Sequence, residues 1–89
     1  MKDVMERLKN VMSYTEVKIS KVVIEEVTKG NKIIKSSLIA EKEMIPKSIL
    51  INAYKLMEVA GVLRTKSLGA KGTNVVIINE DAAKEILGW

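Results

Sequence analysis

The sequence predicts an α+β fold that is mainly helical and carries a small antiparallel sheet. Apolar residues recur at helical spacing over most of the chain. Residues 62–66 and 74–78 are instead short apolar runs separated by a glycine-bearing loop, which is typical of a β-hairpin. Between positions 37 and 73 the order is two short helices, a tight turn, a strand and a basic hairpin tip. This is the order of a winged helix-turn-helix, with the sheet forming the wing.

Composition narrows the classes of function. The 89 residues have room for one domain, and 47% of them are apolar, which suffices for a modest core. Cys and His are both absent, which excludes zinc fingers, thiol nucleophiles, histidine bases and disulfide frameworks. No acid/base pair or metal cage emerges from the acidic residues, so we do not expect an enzyme. No apolar run approaches a membrane span and no signal peptide is recognisable, so we expect a cytoplasmic protein without membrane partners.

The positive charge is concentrated in the middle of the chain. The net charge is +4, and residues 44–78 hold five Lys or Arg against one acidic residue. Residues 1–43 hold nine basic against seven acidic residues, and residues 79–89 hold one against three. A basic centre suits a surface that faces phosphates, because each such contact releases counterions. An ordinary lysine-rich surface remains the alternative.

Residues 1–12 are predicted to form an amphipathic helix. The partner of its apolar side is the domain's own core, a second protomer or a neighbouring domain, and the sequence leaves these open. We therefore divide the chain into a linker or dimerisation helix, residues 1–12, and a winged helix-turn-helix domain, residues 13–89. The apolar side consists of Met1, Val4, Met5, Leu8, Val11 and Met12.

A second helix is predicted to begin at Ser13, because Ser13-Tyr14-Thr15-Glu16 fits a capping box. It ends near Gly30, which adopts left-handed backbone without strain. The β-branched centre of residues 32–35 predicts a short strand. The expected core positions of this helix are Val17, Val23, Ile24 and Val27.

The helix-turn-helix follows. Residues 38–43 form its first helix, capped by Ser36 or Ser37, with Leu38 and Ile39 directed into the core. Pro46 lacks an amide hydrogen, so it fits the first turn of a new helix, residues 46–60. That helix ends at Gly61 and buries Leu50, Ala53, Met57 and Ala60. A last helix after the cap Asn79 is docked by Ile86, Leu87 and Trp89.

The polar side of residues 46–60 suits the major groove of DNA. Ser48, Asn52 and Lys55 share that side, and an asparagine is able to bind adenine bidentately. Lysines and the start of the helix at Ser37 are expected to hold phosphates, and the wing at residues 67–73 to meet adjacent backbone or the minor groove. A solvated hairpin loop is the alternative for the wing. The predicted DNA-binding residues are Ser37, Lys47, Ser48, Asn52, Lys55, Lys66, Ser67, Lys71, Gly72 and Thr73.

From Ser13 to about Asn79 the chain resembles the carboxy-terminal DNA-binding domain of the CodY family of GTP-sensing transcriptional repressors. The Ser-Leu-Gly-Ala-Lys-Gly-Thr order of residues 67–73 carries most of the resemblance. Other matching positions are residues 13–16, Glu25-Glu26, Gly30-Asn31, Ser37 with Ile39-Ala40, residues 45–53 and Ala60-Gly61-Val62. The resemblance implies a regulator that binds AT-rich palindromic operators as a dimer.

Three departures from the family pattern fall in the helix-turn-helix. Met44 stands in place of a turn glycine, Pro46 in place of a threonine and Lys47 in place of an arginine. Because lysine lacks the planar fork of arginine, we expect a different operator preference.

Family members also carry a GAF-type sensor domain, which we expect to be absent from this chain, and we predict no cofactor, neither GTP nor branched-chain amino acids. The predicted function is sequence-specific duplex DNA binding as a transcriptional regulator. The alternative is a protein-interaction module on a winged-helix scaffold, which the apolar Ile51 and Val59 on the exposed side favour.

Overall fold

The computed structural model describes residues 2–89, which form five α-helices and one three-stranded antiparallel sheet. This is the winged helix-turn-helix that the sequence predicts, and Met1 lies outside the described residues. The helices are α1 (Lys2–Val11), α2 (Tyr14–Thr28), α3 (Ser36–Glu43), α4 (Lys47–Val59) and α5 (Glu80–Leu87). The strands are β1 (Ile33–Ile34), β2 (Leu63–Ser67) and β3 (Thr73–Ile77), in the spatial order β1-β3-β2.

The wing is the hairpin of β2 and β3. Its register runs from Leu63 opposite Ile77 to Ser67 opposite Thr73. A single 3-10 turn, Gly69–Lys71, closes the hairpin. Each strand lies one residue nearer to the loop than the predicted segments 62–66 and 74–78, because pairing continues into the loop as far as Thr73.

The core lies between α2, α4 and the sheet, and α1 packs against it. Met5, Leu8 and Met12 are buried in this core, so the domain's own core takes the apolar side of the first helix. Val4 and Val11 of the same helix remain exposed. A role of residues 1–12 as a linker or dimerisation helix stays a prediction.

The capping box at the start of α2 is confirmed. Ser13 Oγ accepts a hydrogen bond from the Glu16 amide at 3.1 Å, and the Ser13 amide donates to Glu16 Oε1 at 2.8 Å. Val17 and Val27, which were expected in the core, are half-buried. Ile19 is buried in their place, because α2 is rotated so that its packed side runs through Ile19, Val23 and Ile24.

Two expectations for α3 are wrong. The helix begins at Ser36 with Lys35 at the N-cap position, so neither serine is its cap. Ser36 Oγ instead lies 3.1 Å from the hydroxyl of Tyr54 on α4, and both groups are buried. Leu38 is 58% exposed, because the buried side of this short helix is formed by Ser36 and Ala40.

The turn between α3 and α4 contains a left-handed residue. Met44 has φ 58° and ψ 46°, and its side chain is 90% exposed. Left-handed backbone disfavours a side chain by about 1 kcal/mol, so Met44 holds a conformation that glycine adopts without this cost. Pro46 is the N-cap of α4 rather than its first residue. The helix buries Leu50, Ala53, Tyr54 and Met57, whereas Ala60 is half-buried.

Helix α5 closes the domain as expected. The Asn79 side chain caps it by accepting from the Ala82 amide at 3.0 Å, and Ile86 is fully buried. Trp89 is half-buried beside α1 and α2, with Lys9 Nζ 5.9 Å from the ring centroid and Lys21 Nζ donating to the Trp89 carbonyl. Within residues 2–89 every helix is too short or too polar to span a bilayer.

Candidate nucleic-acid interface

Helix α4 turns one side outward along its whole length. Ser48 and Lys55 are exposed on that side, and Val59 is 89% exposed near its end. Buried Leu50 and Met57 fix the opposite side against the core, so the orientation of the helix follows from its apolar positions. The row predicted from the sequence is therefore a surface row.

A cleft of about 270 Å³ lies beside this row, between α4, the start of α3 and the wing. Of the ten predicted DNA-binding residues, the cleft brings six together on its walls. It is lined by Lys35, Ser36, Ser37, Lys47, Ile51, Tyr54, Lys55, Glu58, Thr65, Ser67, Gly69, Ala70, Gly72 and Thr73.

The charge of the cleft is positive. Lys35, Lys47 and Lys55 line it together with one acidic residue, Glu58. The Glu58 carboxylate accepts from Thr65 Oγ1 at 2.8 Å and from the Thr65 amide at 3.3 Å. These bonds tie the last turn of α4 to β2, so they hold the wing at a fixed position relative to α4.

The register of the wing separates its basic residues. Thr65 faces α4, and side chains alternate between the two faces of a strand. Lys66 therefore lies on the opposite face of the sheet, paired with Asn74 of β3. Lys71 is exposed in the 3-10 turn at the tip. The wing thus presents Lys66 on one face of the sheet and Lys71 at its tip.

Gly72 has a structural reason to be glycine. Its φ is +116°, and a Cβ at this position would lie 2.6 Å from the backbone oxygen of Ile34 in β1. Gly69 also has a positive φ, +66°, but a Cβ there would meet open space. The wing is therefore packed closely against β1 at Gly72.

Asn52 is exposed on α4 but is not isolated. Its Nδ2 donates to Oε2 of Glu16, the acidic member of the capping box on α2. Glu16 is 8% exposed and accepts from the Ser13 amide through its other oxygen. The asparagine that the sequence assigned to base contacts is thus held by a buried carboxylate.

The ionisation of two buried groups follows from their surroundings. Burial alone raises the pKa of Glu16, but hydrogen bonds from the Ser13 amide, the Asn52 side chain and the Ser13 hydroxyl outweigh it and leave the pKa below its usual value. Burial raises the pKa of Tyr54, and its bond with Ser36 offsets this in part. At neutral pH Glu16 is therefore an anion and Tyr54 a neutral hydroxyl.

Sequence reasoning missed several residues of the cleft. Lys35 was predictable from the sequence as a residue of this site, since it is a basic residue immediately before a helix. Tyr54 and the pair Glu58 and Thr65 were not, because their contacts join elements whose relative position is known only from the fold.

An exposed helix of a helix-turn-helix beside a basic wing defines the winged-helix class of DNA-binding domains. The family model described as the CodY helix-turn-helix domain matches residues 30–88. The chain therefore belongs to the CodY helix-turn-helix family, which is one of transcriptional regulators rather than of enzymes.

Curated relatives agree with this family. The global transcriptional regulator CodY of Caldanaerobacter subterraneus subsp. tengcongensis is 35% identical over 75 residues, which cover 84% of this chain and 30% of the relative. CodY of Thermoanaerobacter sp. is 33% identical with the same coverage. CodY of Exiguobacterium sibiricum is 34% identical over 77 residues, or 86% of this chain and 30% of the relative. The chain spans about 30% of the length of these relatives.

Proposed function

We propose that the chain binds duplex DNA sequence-specifically, as the DNA-binding domain of a transcriptional regulator. In this proposal α4 enters the major groove, and the wing contacts the adjacent backbone or minor groove. One observation carries the proposal. The outward side of α4 borders a cleft in which Lys35, Lys47 and Lys55 are gathered. A helix fits the major groove, and lysines beside it meet the phosphates on the rim of that groove.

Base contacts fall to the outward row of α4. Ser48 lies in the first turn of α4 and Lys55 lies two turns later, and between them Asn52 contacts Glu16 of α2. A hydroxyl or an ammonium binds several base edges, whereas a carboxamide presents one donor and one acceptor side by side. Asn52 is therefore the residue that discriminates most strongly between bases.

Phosphate contacts fall to the rim of the cleft. Lys35 precedes α3 and Lys47 begins α4, and both line the cleft together with Ser36 and Ser37, whose amides lie in the first turn of α3 and have no acceptor within that helix. Lys71 at the wing tip and Lys66 on the outer face of the sheet reach other phosphates. These contacts position the domain on the duplex and do not distinguish between DNA sequences.

The family resemblance extends the proposal to AT-rich palindromic operators, a homodimer and repression. A palindrome is the sequence that a two-fold symmetric dimer reads, with each protomer on one half-site. The exposed Val4 and Val11 leave part of α1 free for such a dimer.

The test is a fluorescence anisotropy titration of a random-sequence duplex at several salt concentrations. The Lys47, Asn52 and Lys71 triple alanine variant is expected to bind at least tenfold more weakly than wild type. The slope of log K against the logarithm of the salt concentration should be smaller in magnitude by about 1.8. The two lysines account for this, since each lost phosphate contact removes about 0.9. The matched control replaces Lys9, Asn10 and Lys84 of α1 and α5 with alanine and should retain most of the wild-type affinity. Equal binding by wild type and the first variant would contradict the proposal.

A protein-interaction module is the second candidate, because Val59 is 89% exposed at the end of the outward row. Such a module binds a random duplex weakly and shows no salt slope. The titration of the wild type therefore distinguishes the two candidates directly.

A further inference from the structure

We propose that Glu16 is a positioning residue that fixes the carboxamide orientation of Asn52 and thereby sets the base preference of α4. The inference rests on the proposed function, because it concerns what α4 presents to the major groove. It assigns a role in base recognition to a residue of α2 whose other side-chain hydrogen bond belongs to the capping box.

The two oxygens of Glu16 have different tasks. Oε1 accepts from the Ser13 amide at 2.8 Å, which completes the capping box. Oε2 accepts from Nδ2 of Asn52, which lies 36 residues further along the chain. A capping box needs only the first of these bonds. The second bond connects a buried carboxylate to an exposed side chain in the middle of α4.

This bond assigns the orientation of the amide. An ionised carboxylate accepts hydrogen bonds and has none to donate, so the Asn52 atom that faces it is nitrogen and not oxygen. Oδ1 of Asn52 is thereby directed away from Glu16. In the proposed arrangement Glu16 engages the N–H that points away from Oδ1, so the N–H beside Oδ1 remains for a base. A remaining donor next to an acceptor is the pair that an adenine edge binds.

The charge of Glu16 favours discrimination over affinity. A carboxylate near the DNA surface repels phosphates, so it weakens binding to every sequence alike. The same carboxylate prevents the amide from turning over, so it strengthens the contrast between right and wrong bases. Removing the charge while keeping the shape should therefore move affinity and discrimination in opposite directions.

Glu16→Gln makes that change. Glutamine also serves in a capping box, so Oε1 of the variant continues to accept from the Ser13 amide. Its second terminal atom is then an NH2 donor, and Asn52 must turn its amide over to meet it with oxygen. The order of donor and acceptor that Asn52 presents to a base is reversed.

Two matched variants separate this role from helix capping. Glu26→Gln makes the same substitution on α2, where Glu26 Oε1 accepts from Nδ2 of a different asparagine, Asn31, at 3.2 Å. Ser13→Ala removes the hydroxyl half of the capping box and leaves the Glu16 and Asn52 contact in place. Both should retain the wild-type base preference.

The first measurement needs no DNA. In nitrogen-15 NMR spectra of the full chain, the side-chain NH2 of Asn52 should exchange with solvent more slowly than that of exposed Asn10, and its signals should move in Glu16→Gln but not in Glu26→Gln. Identical Asn52 signals in wild type and Glu16→Gln would overturn the inference. The wild-type comparison of Asn52 with Asn10 decides the same point if the variant fails to fold.

The second measurement selects duplexes from a randomised pool with each variant and with Asn52→Ala. Glu16→Gln is expected to lose about tenfold discrimination at the same base positions as Asn52→Ala, while its affinity for a random duplex is unchanged or higher. The inference would be overturned, with the proposed function intact, if Glu16→Gln selected the wild-type motif. It would also be overturned if this variant lost discrimination at base positions other than those affected by Asn52→Ala. If the wild type selects no motif, the proposed function fails as well.

Discussion

Replacing Gly72 with alanine is expected to lower the free energy of unfolding by about 3 kcal/mol. At φ +116° and ψ −155° the backbone of Gly72 lies in a region that is almost exclusive to glycine. The added methyl group would also lie 2.6 Å from the Ile34 oxygen, which is backbone and has little freedom to move. The wing must therefore separate from β1 or the residue must change its conformation.

Urea denaturation followed by circular dichroism measures this loss, and Gly69→Ala is the matched control. Gly69 has a positive φ, but a Cβ there meets open space, so its replacement is expected to lower stability by about 1 kcal/mol. Equal destabilisation by the two variants would show that packing against β1 contributes nothing at Gly72.

The second large effect is expected from Lys55→Glu, which should weaken duplex binding on the order of a hundredfold at low salt. Lys55 belongs both to the outward row of α4 and to the wall of the cleft. The substitution removes a cation from the centre of the proposed interface and adds a charge that phosphates repel. Because Lys55 is exposed, the fold itself should be retained.

Lys84→Glu is the control for this variant. It makes the same change in net charge on α5, where Lys84 is exposed beside Val27 and Leu87. A general effect of net charge would weaken both variants equally, whereas the proposed interface predicts a loss in Lys55→Glu that far exceeds that in Lys84→Glu. Anisotropy titrations under identical salt conditions compare them.

Local features of the fold were predictable from the sequence. The capping box at Ser13 and Glu16, the cap at Asn79 and the left-handed glycine that follows α4, Gly61, each depend on residues close together in the chain. The apolar positions of α4 were predicted for the same reason, since helical spacing places Leu50, Ala53 and Met57 on one side.

Features that depend on contacts between elements were not predictable. The exposure of Leu38 follows from the rotation of α3 against α4, and the position of Lys66 follows from a strand register that a shift of one residue would reverse. The bond between Glu16 and Asn52 joins residues that are distant in the chain. Sequence periodicity placed Asn52 on the surface but gave no sign of its partner.

The proposed function assigns the DNA-binding surface to α4 and the wing. The most direct test of this assignment is a titration of the nitrogen-15-labelled chain with a duplex selected from a randomised pool, followed through the backbone amide signals. We expect the largest shifts in α4, at the start of α3 and in residues 67–73, while α5 is little affected. Shifts concentrated in α1 and α5, with α4 unchanged, would contradict it.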